Sequence, residues 1–384
     1  MRTGTANLPL HGGSCPSWLF PRMRELSGLI TEAIVDEYGK DEFLRRIADP
    51  FFLQSLSCVI GFDWHSSGTT TTTMGALKEA VNKLGLGITI CGGKGKTSRK
   101  APQEIIASSY NISSKKLQKL VYSSRMAAKV DSNLLQDGYN LYHHCFIFTE
   151  EAKWAVVQQG MADNGYARRY HWLSDNVASF VNEPHESICG EKEEEVLDMT
   201  ACQSEEARRT SVDLINDNPV HLRKYLSPQL RLNDFFDYSS EELTMPAHHP
   251  TPQLSKRVMQ QLQAAYEIQP QSYEELASLK GIGAKSIRAL ALVSELIYGA
   301  KPSWNDPVKF SYAHGGKDGF PYPIDQDHYD KSIAVLSDAV RNAKMKEKEK
   351  IKAIKKLRAF IPNPLPHQSS GSGTQAVCMA ASPN

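Results

Sequence analysis

Apolar positions recur at helical spacing from about Trp18 to Tyr38, and a second helical stretch ends near Pro50. The short apolar run from Ser57 to Phe62 reads as a strand. It leads through Asp63-Trp64-His65-Ser66-Ser67-Gly68 and five threonines into a helical pattern from Ala76 to Leu84. The same order returns with Gly87 to Cys91 as strand, Gly92-Gly93-Lys94-Gly95-Lys96 as loop, and a helix beginning near Pro102 with Gln103 and Glu104 in its first turn. Strand, loop and helix twice over predict a βαβ-like arrangement. Phe146-Ile147-Phe148 and Trp154-Ala155-Val156-Val157 flank the turn-like Glu150-Glu151-Ala152-Lys153, so residues 142–158 read as a hairpin. Acidic and helical stretches dominate from Val177 to Tyr225.

Residues 227–252 hold Pro228, Pro246, Pro250 and Pro252 and little periodicity, which marks a linker. The predicted organisation is a mixed α/β N-terminal domain over 1–226, this linker, and an all-α domain over 253–302. An aromatic, glycine-rich segment and a basic helix then occupy 303–360, and the polar tail 361–384 is expected to be disordered.

Length and composition add bounds. The 384 residues are 41% hydrophobic and 23% charged, near the globular norm, and no apolar run reaches the roughly 20 residues that span a bilayer. The opening MRTGTANLPLHGG lacks the apolar stretch of a secretory signal, and seven scattered cysteines suit reduced thiols, so a cytoplasmic protein with no membrane partner is expected. Net charge is only +1, but it is unevenly spread. Lys94, Lys96, Arg99, Lys100, Lys115, Lys116, Lys119, Arg125 and Lys129 face a single acid, Glu104, between Gly92 and Lys129. Residues 191–206 are acidic, and 341–358 are basic again. Any one block alone reads as a solvated helix face. Two basic blocks beside the motif described next favour a polyanionic partner.

Ser272-Tyr273-Glu274-Glu275 is a capping box, and the helix it opens meets Leu279-Lys280-Gly281-Ile282-Gly283-Ala284-Lys285. Ile287, Leu290, Ala291, Ser294 and Ile297 then recur at helical spacing until Gly299 supplies a stop. This segment resembles a helix-hairpin-helix DNA-binding motif. Gly281 and Gly283 would let the backbone turn tightly and approach a phosphate, and Lys280, Lys285 and Arg288 would add charge. Such contacts position a protein on DNA without reading bases. In glycosylases built on this motif a lysine at the position of Lys285 can form a Schiff base with the sugar, helped by a downstream aspartate, for which Asp306 is the candidate.

Several other groups could carry chemistry. Gly95-Lys96-Thr97 ends like a phosphate-binding loop, but the glycine that spacing requires is Ile90. Lys94, Lys96 and Arg99 can still hold nucleic-acid phosphate. Asp63 and His65, at the end of the first predicted strand, are candidate ligands for a divalent metal ion. His143 and His144 fall on opposite faces of a strand, so one of them serves a given site as acid/base. Arg168 and Arg169, set among Tyr166, Tyr170 and Trp172, suit a phosphate clamp with rings for bases. Asn182-Glu183-Pro184-His185 is a polar loop with no assigned role. Cys-x-x-Cys, His-Glu-x-x-His and Gly-x-Ser-x-Gly patterns are absent from the sequence.

Arg2-Thr3-Gly4 with Leu8-Pro9-Leu10-His11-Gly12-Gly13, Gly61 to Gly68, the hairpin from Gly138 to Met161 and His314-Gly315-Gly316-Lys317-Asp318-Gly319 resemble the prokaryotic family called domain of unknown function 763. That resemblance spans about residues 1–350 and implies no catalytic residue. The leading expectation is a DNA-binding protein of repair or processing that acts on phosphodiesters with metal assistance. A non-enzymatic DNA-binding accessory protein and a Lys285 glycosylase or lyase are the alternatives.

Overall fold

The computed structural model describes residues 15, 17–62, 67–108, 110, 112–218 and 256–308, with parts of a helical stretch between 334 and 355. Four helices come first: α1 (Leu19–Tyr38), α2 (Lys40–Ala48), α3 (Pro50–Val59) and α4 (Gly68–Leu84). Of the strand expected from Ser57 to Phe62, Ser57 to Val59 is instead the end of α3, and residues 60–62 turn out of it. Asp49 caps this helix by accepting from the Phe51 N–H at 2.8 Å, and Pro50 sits in its first turn, where it has no N–H to lose. A short apolar run cannot by itself tell a buried helix from a strand. The threonines belong to α4 despite their modest helix propensity, because Thr69, Thr70 and Thr73 are buried against neighbours; Thr73 donates to Ser57 at 2.8 Å.

The sheet is β1 (Ile88–Lys94), β3 (Asn140–Thr149), β4 (Trp154–Met161), β5 (Ala167–Leu173) and β6 (Ser187–Cys189), in that spatial order and antiparallel throughout. The βαβ expectation is therefore corrected. β1 pairs directly with β3, and no strand precedes it among the described residues. The 142–158 hairpin is β3–β4, with Ala152 at φ 71 in its turn. A separate small ladder joins β2 (Leu135–Gln136) to β7 (Leu197–Asp198).

Alternation along the strands builds two cores. Ile88, Ile90, Cys145, Ile147, Ala155 and Val157 pack on α1–α4. Cys91, Phe146, Phe148, Trp154, Val156 and Trp172 face α5 (Ala101–Ile106), α6 (Ser114–Lys129) and α7 (Glu205–Asn216). The same second core takes in Leu262 of α8 (Lys256–Ile268), Leu276 of α9 (Tyr273–Ser278), and Ile287 and Leu290 of α10 (Ala284–Tyr298). The protein is thus a mixed α+β structure whose sheet lies between two helical layers. The 227–252 linker and the 361–384 tail lie outside the described residues, as does most of 303–360.

Candidate functional site

The polar residues of the sheet gather at one end. There the apolar run of β3 begins with two histidines and that of β4 gives way to Gln158-Gln159. Gly92, at φ 85, lets β1 press against this end of β3. A Cβ there would lie 2.1 Å from the His144 carbonyl oxygen. Glu104 fixes the approach by accepting from the Gly92 N–H and from Lys78, both at 2.7 Å.

His143 and His144 point to opposite faces, as alternation requires. His143 is buried on the α1–α4 side, and both its ring nitrogens are without a hydrogen-bond partner among the described residues. Burial, with the nearby charges of Arg169 and Lys94, lowers its pKa to about 3. Arg169 lies on this face too, fully buried, donating to Gln54 at 3.2 Å. Gln159 ties the face together by donating to the Ser67 carbonyl at 2.7 Å and to the Tyr142 hydroxyl. Asp63 and His65, the expected metal ligands, lie outside the described residues. Among the described residues no cluster of three or more His, Cys, Asp or Glu could hold a metal ion.

His144 lies on the α6 side at the wall of an open cleft of about 530 Å³, lined also by Ser98, Arg99, Ser124, Arg125, Lys129 and Gln158. Its Nε2 is 2.9 Å from the Ser124 hydroxyl, and its Nδ1 is 2.8 Å from Gln158 Oε1. Gln158 Nε2 donates to Asp131 at 2.5 Å; Asp131 also accepts from Trp172 Nε1 at 3.0 Å and meets His185 at 2.5 Å. Burial pulls the His144 pKa below its usual value, against the opposing pull of Gln158 and Asp131. The ring is therefore neutral near pH 7 and able to accept a proton.

Arg168 is not a phosphate clamp. It is fully buried on the same sheet face as Trp172, bonded to Asp137 at 3.1 Å, to both oxygens of Asp306 at 3.1 and 2.6 Å, and to the Glu191 carbonyl at 2.6 Å. A buried guanidinium needs such partners, and they leave it no room for a ligand. Desolvation raises the Asp137 carboxyl to about 6, with Arg168 and the Tyr170 hydroxyl pulling the other way. Asp306 is likewise committed to Arg168 and to the Glu193 and Val308 amides, which removes it as a partner for Lys285.

The second basic group lies on the turn between α9 and α10. Ser272 caps α9 by accepting from the Glu275 N–H at 3.1 Å, while Glu275 reaches back to the Gln271 N–H at 2.9 Å, one residue earlier than a strict capping box. Gly281 needs its glycine: φ is 100, and an added Cβ would meet Gln261 at 3.0 Å. Gly283 is ordinary extended backbone and needs none on steric grounds. The Ala284 N–H at the start of α10 is already taken by Asn133 Oδ1 at 3.1 Å. Arg288 is half-buried and donates to Gln136 at 2.8 Å, so it braces the turn. Lys280 and Lys285 are exposed, as are Lys94, Lys96 and Arg99. Ser278, two residues before Lys280, lines the His144 cleft, so the turn opens beside it.

Sequence reading missed Ser124, Asp131, Gln158 and Tyr122 as members of the cleft or its support. The available signal was the glutamine pair interrupting the apolar strand Trp154–Met161, since a buried amide demands partners. The family model described as Protein of unknown function (DUF763) matches residues 4–324. No curated protein and no solved structure matches the chain. No helix among the described residues is long and apolar enough to cross a membrane.

Proposed function

The chain belongs to the family described as Protein of unknown function (DUF763), and from its site we infer that it binds DNA and acts on phosphodiesters in the His144 cleft, as a protein of DNA repair or processing. One observation carries this reading: a neutral, partner-fixed imidazole shares a cleft with Arg99 and Arg125, whose guanidiniums have no ion-pair partner among the described residues. Guanidinium is suited to phosphate by charge and by its planar donors. Lys94, Lys96, Lys280 and Lys285 extend the positive surface, so contacts would fall on the backbone and carry little sequence preference. The α9–α10 turn would act as a helix-hairpin-helix contact through Lys280, Lys285 and the hairpin backbone. In this reading His144 is the acid/base group.

The test is incubation with end-labelled single-stranded, duplex and branched DNA, with divalent metals or chelator. Cleavage lost in a folded His144→Ala protein that still binds DNA supports the reading. Binding without turnover on any substrate assigns an accessory role. A borohydride-trapped adduct on abasic DNA, lost in Lys285→Gln, would replace the reading with a lyase.

A further inference from the structure

Ser124 stands in the middle of α6, where a serine hydroxyl ordinarily bonds the carbonyl four residues back. Ser57, Ser211 and Ser294 do so, at 2.8, 2.6 and 2.8 Å. Ser124 instead turns its hydroxyl to His144 Nε2, on the wall of the cleft.

The direction of that hydrogen bond follows from its neighbours. Trp172 Nε1 can only donate, so Asp131 Oδ2 accepts. The Gln158 amide must then present its nitrogen to the same oxygen, which leaves Oε1 facing His144 Nδ1. An amide oxygen cannot donate, so Nδ1 carries the hydrogen. In a neutral ring Nε2 then holds the lone pair, and the Ser124 O–H donates to it. Nucleophile, base and orienting group are thus arranged as in hydroxyl nucleophile catalysis, with a glutamine in the orienting place and an aspartate holding that glutamine.

We propose that Ser124 is a catalytic nucleophile activated by His144, and that its substrate is a phosphodiester in a nucleic-acid strand. The substrate class rests on the nucleic-acid reading above and on the cleft's cations. Arg99 and Arg125 suit the spread negative charge of a phosphoryl transition state, whereas acyl transfer is served by a pair of N–H donors at one oxyanion. In the step, the Ser124 oxygen attacks phosphorus while its proton passes to His144 Nε2. The Oγ–P bond forms and the bond from phosphorus to one bridging oxygen breaks. That oxygen leaves with the electron pair and takes the proton back from His144. The products are a seryl phosphodiester and a free nucleic-acid hydroxyl; water then attacks the phosphorus and gives a proton to the same imidazole, the Oγ–P bond breaks, Ser124 takes that proton back, and a nucleic-acid phosphomonoester is released. Gln158 and Asp131 are positioning residues.

The test has two arms on the full chain. A biotinylated fluorophosphonate, located by peptide mass spectrometry, should label Ser124. Labelling should vanish in Ser124→Ala, an exchange that alanine's helix propensity favours, and should slow by about 10²–10⁴-fold in His144→Ala. Asp131→Asn, which frees the Gln158 amide to flip, should slow it while leaving the serine in place. In the second arm, an oligonucleotide with bridging phosphorothiolate linkages should leave an adduct on Ser124 that survives denaturing electrophoresis. No label on wild-type protein with a native circular dichroism spectrum overturns the proposal, and DNA binding by that same preparation would leave the nucleic-acid reading standing. Label with neither a DNA adduct nor cleavage of that oligonucleotide overturns the phosphodiester assignment. Label in protein that does not bind DNA overturns the reading on which that assignment rests.

Discussion

Replacing Asp306 with alanine separates a structural Arg168 from a phosphate-binding one. In the native fold Asp306 makes two hydrogen bonds to the buried guanidinium, at 3.1 and 2.6 Å, and accepts from the amides of Glu193 at 2.7 Å and Val308 at 3.1 Å. Removing one partner of a buried ion pair costs about 3–5 kcal/mol, because the remaining charge stays desolvated. Asp137 and the Glu191 carbonyl still hold Arg168, and water can reach the partly buried amides, so the loss should not exceed that range. For a chain of 384 residues, at about 2.1 cal/mol/K of unfolding entropy per residue, the melting temperature should fall by roughly 4–6 °C. Urea unfolding followed by tryptophan fluorescence reports the change, since Trp154 and Trp172 are buried in the same sheet. A loss below about 1 kcal/mol, well under the buried-pair range, together with weakened DNA binding would refute the structural assignment and return Arg168 to the clamp.

Three further outcomes follow from the same geometry. Gly92→Ala should cost more than the roughly 1–2 kcal/mol of a left-handed residue, because its Cβ would strike the His144 carbonyl; an urea midpoint equal to wild type contradicts this. Asn133→Ala removes the acceptor of the Ala284 amide and should cost about 1 kcal/mol, read as faster hydrogen exchange in the first turn of α10. His143, His144 and His171 are all held below their usual pKa by burial, His143 at about 3, whereas the unfolded chain takes up their protons near pH 6.5. Their contribution is therefore complete above about pH 6.5 and is lost as pH falls toward 3, by at most about 1.4 kcal/mol per pH unit per histidine. Asp137, raised to about 6, acts in the opposite sense between about pH 4 and 6. His143→Gln should flatten the fall between pH 7 and 5; an unaltered pH slope would contradict the burial argument.

Local signals in the sequence located the β3–β4 hairpin, α1, α9 and the end of α10 at Gly299, because each rests on periodicity, a turn or a cap within a few residues. The Ser57–Phe62 strand failed where a neighbouring cap outside the window, Asp49 with Pro50, decided for helix. The parallel reading failed because pairing is non-local: only the register Gly93 to His144 shows that β1 lies antiparallel on β3. The cleft was half legible. His144 and Arg99 were chosen by residue type, and Arg125 was seen only as part of a charged block. Ser124, Asp131 and Gln158 belong to α6, the turn after it and β4, and only packing on the sheet brings their hydrogen bonds together. Arg168 misled for the complementary reason, since an arginine among aromatic residues reads the same whether its partner is a phosphate or a buried aspartate.

The central claim is that the His144 cleft receives a nucleic-acid backbone, and Arg99 and Arg125 test it most directly. Duplex DNA affinity should be measured across a range of salt concentrations for wild type and for the Arg99→Gln/Arg125→Gln double variant, neither arginine being engaged in an ion pair among the described residues. If both contact phosphates, the slope of log K against log salt should become shallower by about 1.8, at about 0.9 per phosphate contact. Unchanged affinity and slope in a folded double variant would contradict the account.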